Sequence, residues 1–269
     1  VSPATEGLVA VGAALKLGGR VVVECIDLAI RPGSFVALVG PNGAGKTSAL
    51  RLLAGEVAPS SGDVFLDGIP LRRVPLRELA RRRAVLPQET SIEFAFRARE
   101  VVEMGRAPHR GTPAERDDDE VIDRALASTD CSHLADREFR LLSGGERARV
   151  NLARILAQEA SYVLLDEPTA ALDLRHQESV MALAGALAAR GCGVLAVVHD
   201  LNLAAAYASE VGLMCGGRLE ALGSPAEVLR ADLLSAAYEL PVEVHVHPVR
   251  GGPLILAAAP HSPFRTPTP

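Results

Sequence analysis

The chain has 269 residues, of which 48% are hydrophobic and 23% charged, with a formal net charge of -5; this balance fits a large globular core and excludes an intrinsically disordered chain. The acidic balance also argues against a protein that wraps nucleic acid. Aromatic residues make up only 3% and Trp is absent, so the core must be Leu, Val, Ala and Ile, as suits a parallel sheet covered by Ala- and Leu-rich helices.

From Leu8 to Ile30 short apolar runs alternate with Gly18-Gly19 and polar residues, which predicts a small antiparallel sheet leading into the turn Arg31-Pro32-Gly33-Ser34. The unbroken apolar run Phe35 to Val39 then reads as a buried strand, followed by Gly40-Pro41-Asn42-Gly43-Ala44-Gly45-Lys46-Thr47-Ser48. That stretch fits the phosphate-loop pattern G-x-x-x-x-G-K-[ST]. A helix from Ser48 to Ala54, closed by Gly55, completes a strand, glycine loop and helix. Backbone N–H groups freed by the glycines, the positive helix end and the Lys46 ammonium suit a polyphosphate. The Thr47 hydroxyl suits Mg²⁺. The chain is therefore expected to bind a nucleoside triphosphate.

Pro59-Ser60-Ser61-Gly62 predicts a turn into a strand at Asp63 to Gly68 that joins the N-terminal sheet, and Leu76 to Arg83 a short helix with Arg77, Arg81, Arg82 and Arg83 outward. Ala84 to Pro87 reads as a core strand ending at Gln88. Beyond it the composition turns helical and charged, an inserted helical lobe in which Asp117 to Glu120 opens a helix. Ser161 to Glu167 is a second buried strand ending in two carboxylates. Leu174 to Arg190 is a helix stopped by Gly191, and Gly193 to Val198 a third strand ending at His199. Alternating strands and helices mean a parallel, doubly wound sheet, and ligands of such sheets gather beyond the strands' carboxyl ends. Gly40, Gln88, Asp166, Glu167 and His199 all fall there.

Val211 to Leu222 forms a hairpin about Gly216-Gly217, and Ser224-Pro225-Ala226-Glu227 a capped helix start. Val242 to His247 alternates as a strand with His245 and His247 on one face, and residues 257–269 read as a disordered tail. The four cysteines, Cys25, Cys131, Cys192 and Cys215, lack a C-x-x-C pair and read as reduced core thiols. No apolar run reaches the ~18 residues of a membrane span, and the beginning lacks a signal-peptide layout, so the chain is expected in the cytosol.

Asp166 suits a carboxylate that orders Mg²⁺, and Glu167 a base or orienter for an attacking water. Leu142-Ser143-Gly144-Gly145-Glu146, opening a helix from Arg147 to Leu156, is a second anion-binding terminus that cannot serve the same phosphates. On these residues the chain resembles the ATP-binding subunits of ABC transporters, whose signature motif begins LSGG. The resemblance covers roughly residues 8–240, with Gln88 at the glutamine loop, Ala170-Ala171-Leu172-Asp173 at the D-loop and His199 at the switch histidine.

The resemblance implies an α/β phosphate-loop NTPase fold: a RecA-like parallel sheet, an antiparallel β subdomain and an inserted helical subdomain at about 89–155, all within one ATPase domain spanning 1–240. A strand extension at 241–256 would follow. It further implies ATP and Mg²⁺ as ligands, with Thr47, Gln88 and Asp166 at the metal, His199 on the γ-phosphate and Asp173 crossing a dimer interface. The signature of one subunit would close on ATP held by the other in a head-to-tail homodimer. Partners would be two permease subunits at the cytoplasmic face of the membrane and, indirectly, a periplasmic or lipoprotein substrate-binding protein. Two departures stand out. Glu146 replaces the usual Gln, and Leu17 stands where an aromatic commonly stacks on adenine, leaving the base to Leu17 or to Arg20 or Val22.

Glu100 to His109 resembles the E-V-V-x-x-G-R-x-P-H segment of importers for heme, iron siderophores and cobalamin. His133 to Arg137, LSGGE and Val246-His247-Pro248 look most like the hemin-import ATPases, with siderophore or cobalamin import as the alternative. A soluble ABC ATPase acting on DNA or ribosomes fits less well, since there is one phosphate loop and neither a coiled-coil nor a zinc insertion.

Overall fold

The computed structural model describes residues 6–88, 94–170 and 172–258. The long strands β1 (Leu8–Leu17) and β2 (Arg20–Ile30) pair antiparallel and are followed by β3 (Phe35–Val39) and α1 (Lys46–Ala54). Next come β4 (Ser61–Leu66), the two-residue β5 (Ile69–Pro70), α2 (Leu76–Arg82) and β6 (Arg83–Leu86). The helical segment holds α3 (Ala98–Glu103), α4 (Asp118–Ser128) and α5 (Gly144–Ala157). After it the chain alternates β7 (Tyr162–Asp166), α6 (Leu174–Ala189), β8 (Gly193–Val197), α7 (Leu201–Tyr207) and β9 (Glu210–Cys215). It closes with β10 (Arg218–Gly223), α8 (Pro225–Val228), α9 (Ala231–Tyr238) and the hairpin β11 (Val242–Val246) with β12 (Pro253–Ala257).

Two sheets share the phosphate-loop helix. One is antiparallel in the order β2-β1-β4-β5; the other runs β10-β9-β3-β8-β7-β6, parallel from β9 to β6 with β10 antiparallel at its edge. Every residue of β3, β7 and β8 is buried, as expected of strands covered on both faces. Helix α1 packs between the sheets through Leu50, Leu52 and Leu53.

The long excursion from β6 to β7 returns to the same sheet edge, where Leu86 pairs with Leu165. The segment in between has its own core of Val101, Ile122, Leu126, Phe139 and Val150. Helix α5 serves both sides: Val150, Ala153 and Ala157 face that core, whereas Leu152 and Ile155 face the parallel sheet. The three- and four-residue spacings place these two sets on different stripes of one helix. Arg106, with its side chain 2% exposed, ties the excursion to the end of α5: its Nε donates to Asp118 at 2.7 Å, and its Nη1 donates to Glu159 and to the Ala157 carbonyl, each at 2.8 Å.

Several sequence expectations change. The phosphate-loop helix begins at Lys46, two residues before Ser48, because the glycine loop leads directly into helical backbone. The helix predicted to run to Arg83 stops at Arg82, since Arg83 opens β6. Of its arginines Arg77 is exposed as expected, whereas the others are partly covered: Arg82 pairs with Asp67, Arg81 donates to the Pro108 carbonyl at 3.0 Å, and Arg83 is half-buried. Cys25 is exposed, and not a core thiol; Cys131 is buried and the other two partly so. His247 lies beyond β11 and does not share a strand face with His245; its Nδ1 accepts from the Val249 and Arg250 N–H groups at 3.2 Å each and so caps the hairpin turn. Ala257, expected in the tail, is the last residue of β12, and residues 259–269 lie outside the described residues. No helix among the described residues is long and apolar enough to cross a membrane.

The Arg106 cluster yields a stability prediction. Arg106→Met keeps the apolar stem but leaves the two carboxylates without their shared cation. It should lower unfolding free energy by roughly 2–3 kcal/mol, below the roughly 3–5 kcal/mol of a broken fully buried pair because both carboxylates are partly solvated. A urea titration reads this as a lower midpoint at unchanged slope.

Candidate nucleotide-binding site

Register in the parallel sheet assembles the site. Leu38 pairs with Val197, and Asp166 pairs with the same Val197 from the other side, so the ends of β3, β8 and β7 lie level. Gln88, two residues past Leu86 of β6, joins this edge. Gly40, Gln88, Asp166, Glu167 and His199 thus meet at one end of the sheet, as the alternating pattern predicts.

The phosphate loop needs two of its glycines for different reasons. At Gly40 (φ 143°) a Cβ would come within 2.0 Å of the Met214 carbonyl oxygen, and at Gly45 (φ 94°) within 2.6 Å of that of Val22. The loop is pressed against β9 and β2, and only glycine permits this. Helix α1 then starts without a side-chain cap or an acidic residue in its first turn, which leaves its first N–H groups available to an anion. Lys46, 5% exposed, donates from Nζ to the carbonyls of Gly40 at 2.7 Å and Pro41 at 2.9 Å. Burial lowers its pKa, and the charges of Glu167 and Asp166 counter this.

The carboxylates are held differently. Asp166, 4% exposed, accepts from the Thr47 hydroxyl at 3.0 Å; burial raises its pKa and the Thr47 hydrogen bond opposes the rise. Glu167 sits in left-handed backbone at φ 50°, with its N–H donating to the Val197 carbonyl at 3.2 Å. One carboxylate oxygen accepts from Gln88 Nε2 at 3.0 Å and the other meets His199 Nε2 at 2.7 Å.

A cleft of about 200 Å³ is lined by Val22, by Asn42 to Ser48, and by Glu167 and His199; beside it a second of about 320 Å³ is lined by Thr47, Glu56, Gln88 and Asp166 among others. The donor set fits the ligands expected: open N–H groups and a lysine for phosphate, and a hydroxyl with a carboxylate for a hard cation such as Mg²⁺.

Other predicted residues are elsewhere. Leu17 ends β1, 47% exposed, and does not line the cleft, whose aliphatic wall is Val22. Ser143 caps α5: its Oγ accepts from the Glu146 N–H at 3.3 Å, while Glu146 Oε2 accepts from the Ser143 N–H at 2.7 Å. That reciprocal box accepts Glu as readily as Gln, which accounts for Glu146. Gly144 is exposed with open space about it, and the signature lines neither cleft at this chain's own phosphate loop. Asp173 caps α6, accepting from the His176 N–H at 3.0 Å; Ala171 lies outside the described residues. Sequence reading missed Asp200, whose Oδ1 caps α7 by accepting from the N–H groups of Asn202 at 2.8 Å and Leu203 at 3.1 Å. An Asp directly before the apolar Leu201 was the available signal.

Strand, glycine loop, uncapped helix end and paired carboxylates define a phosphate-loop nucleoside triphosphatase with an antiparallel β subdomain and a helical insert. The ABC transporter family model matches residues 23–170. The hemin import ATP-binding protein HmuV of Nocardia farcinica is 54% identical over 237 residues, covering 88% of this chain and 82% of that protein. The protein of the same name from Streptomyces coelicolor is 50% identical over 257 residues, covering 94% and 92%. A structure described as a metal-chelate type ABC transporter in an inward-facing conformation aligns with a TM-score of 0.80 at 27% identity, covering 95% of this chain and 98% of that one. A dimeric bacterial ABC transporter cassette aligns with a TM-score of 0.73 at 26% identity, covering 81% and 98%. The chain belongs to the ABC transporter family, as an ATP-binding, ATP-hydrolysing subunit.

The buried Asp166 leads to a pH-dependent prediction. Its pKa is raised on folding, so the ionised carboxylate costs stability at neutral pH, and the cost disappears as pH falls through the raised folded value. Asp166→Asn should therefore make the protein, assayed without nucleotide, more stable at pH 7 by roughly 1 kcal/mol, or about 2–4 °C in Tm. The gain should shrink as the pH is lowered. Thermal melts of both proteins across the acidic range measure it.

Proposed function

We propose that this chain powers import of hemin as the ATPase subunit of an ABC importer, acting on a separate permease at the cytoplasmic face of the membrane. The observation that carries the ATPase reading is Glu167, placed against Gln88 and His199 at the mouth of the phosphate-loop cleft. Support for the cargo comes from relatives named hemin import ATP-binding proteins at 45–54% identity and from the Glu100 to His109 segment. A ferric siderophore or cobalamin is the alternative cargo.

In this reading ATP lies with its phosphates on the N–H groups of Gly43 to Ser48, and Lys46 exchanges its two carbonyl partners for phosphate oxygens. Thr47 and Asp166, with Gln88 at the edge, would hold Mg²⁺, which supplies neutralisation of phosphate charge. Glu167 orients and deprotonates the attacking water, and His199 donates to the γ-phosphate. Ser143, Gly144 and Gly145 of a second copy close on the same nucleotide, and Asp173 crosses the interface. The exposure of Ser143, Gly144 and Asp173 in this chain supports that arrangement. ATP-driven closure and hydrolysis-driven opening of the homodimer are passed to two permease subunits, with a substrate-binding protein acting on the outer side. Residues 1–240 form the ATPase domain, and the strands at 241–256 extend it.

Glu167→Gln should retain ATP affinity within about threefold and lower hydrolysis at least about 100-fold. In cells lacking the native subunit, the parent chain should restore growth on hemin as iron source and the Gln variant should not. Restoration of ferric siderophore or cobalamin uptake in place of hemin would reassign the cargo; unchanged hydrolysis would remove Glu167 from the chemistry.

The base site gives a second test. With no aromatic residue before Phe35, base contact falls to Leu17 or to Arg20 or Val22, so the parent should discriminate weakly between ATP and GTP. Leu17→Tyr should tighten ATP binding by up to roughly tenfold if stacking is gained. Titration of both nucleotides against both proteins decides whether Leu17 faces the base.

A further inference from the structure

We infer that the C-terminal hairpin is a positioning element for His199, acting through α7, with Asn202 and Arg250 as its two points of attachment. The inference rests on the reading of His199 as a ligand of the γ-phosphate.

His199 is the single residue between two separately anchored pieces of chain. On one side the Val198 N–H donates to the Leu38 carbonyl at 3.0 Å, which fixes that residue to β3. On the other Asp200 is the cap of α7. The His199 side chain is 46% exposed, and among the described residues its imidazole meets only Glu167, at 2.7 Å. Its direction is therefore set by backbone, and the backbone at 199–200 is set by where α7 lies.

A helix of seven residues is not stable alone; Leu201, Leu203, Ala204, Ala205 and Tyr207 seat α7 on the main core. The hairpin adds polar anchors at both ends of α7. In the first turn, the Asn202 amide bridges the backbone of Ile255 in β12: Nδ2 donates to the Ile255 carbonyl at 3.2 Å and Oδ1 accepts the Ile255 N–H at 2.8 Å. One donor and one acceptor meet their complements, so the amide has a single satisfied orientation. Ile255 is itself 8% exposed and part of the main core, so this anchor is rigid.

In the last turn Tyr207 donates its hydroxyl to Glu178 of α6, and Arg250 donates to the same carboxylate oxygen at 2.8 Å. The Arg250 guanidinium also lies over the Tyr207 ring, 5.4 Å from its centroid, a cation–π geometry. Arg250 is presented by the turn that His247 caps. The order of transmission is thus hairpin, α7, Asp200 and His199, ending at the carboxylate of Glu167.

The test measures ATP hydrolysis, ATP affinity and Tm in the full-length chain for Asn202→Leu, Arg250→Met, His199→Ala and the two double variants that include His199→Ala. Expected is a fall in kcat of roughly tenfold or more for Asn202→Leu and for Arg250→Met, with KM for ATP within about twofold. In the His199→Ala background neither should lower kcat further, because both act through the residue already removed. A loss by the same factor in that background would mean that the hairpin acts on hydrolysis independently of His199, and would overturn the proposal. So would unchanged kcat in both hairpin variants while His199→Ala is impaired. Unimpaired His199→Ala would instead overturn the underlying role of His199, and the hairpin proposal with it.

Discussion

The parallel hydrogen-bond register that levels β3, β8 and β7 is the constraint on which the rest depends. Side chains in a strand alternate, so a slip of one residue turns every side chain to the opposite face. With Asp166 opposite Val197 and Leu38 opposite the same residue, the carboxylate, the histidine and the phosphate loop emerge at a common level. A slip of β7 by one residue would turn Asp166 away from Thr47 and bring Glu167 to the place of a buried carboxylate. The buried strands guard against this: every position of β3, β7 and β8 is buried, and an offset pairing would drive the charged strand ends into the core.

That same local encoding explains what could be read from the chain beforehand. The phosphate loop, the strands and the capping boxes at Ser143 and Ser224 depend on contiguous residues, and the pattern of residue types states them openly. Helix boundaries at Lys46 and Arg82 slipped by one or two residues because residue type alone fixes a helix end only loosely: Lys46 already takes helical backbone directly after Gly45, and Arg83 is drawn into β6 by its pairing with Tyr162. What stayed hidden rests on long-range pairing. Arg106 reads as one more charge in a charged segment until the chain folds back to bring Glu159 beside it. Asn202 is an ordinary helix residue until β12 arrives from more than fifty positions away. His247 looks like half of a strand-face pair because alternation alone cannot announce a turn one residue earlier.

Cys25 shows a different limit. It belongs to the long antiparallel pair β1 and β2, whose register shifts between Ala10 and Ala13 and again up to Lys16. Each irregularity reverses which face the following residues occupy. Cys25, at φ 45° in that stretch, is exposed where simple alternation would allow a core position. The close approach of Gly45 to the Val22 carbonyl fixes which part of β2 borders the phosphate loop.

The site also concentrates unfavourable physics that the remainder of the fold must offset. Lys46 and Asp166 are almost fully buried charges, and Glu167 adopts a left-handed conformation that costs a non-glycine residue roughly 1–3 kcal/mol. None of these is needed for folding, and an apolar residue at either buried position would relieve the desolvation. In the proposed function each would become favourable when a polyphosphate and a cation enter: Lys46 would gain anionic partners and Asp166 a cation beside the Thr47 hydroxyl, while Glu167 lines the cleft beside them. Preorganised charge of this kind stabilises developing charge without the cost of reorienting solvent at the moment of reaction. The large Leu, Val and Ala core around β3, β7 and β8 supplies the stability that permits two buried charges and a strained residue to stand side by side.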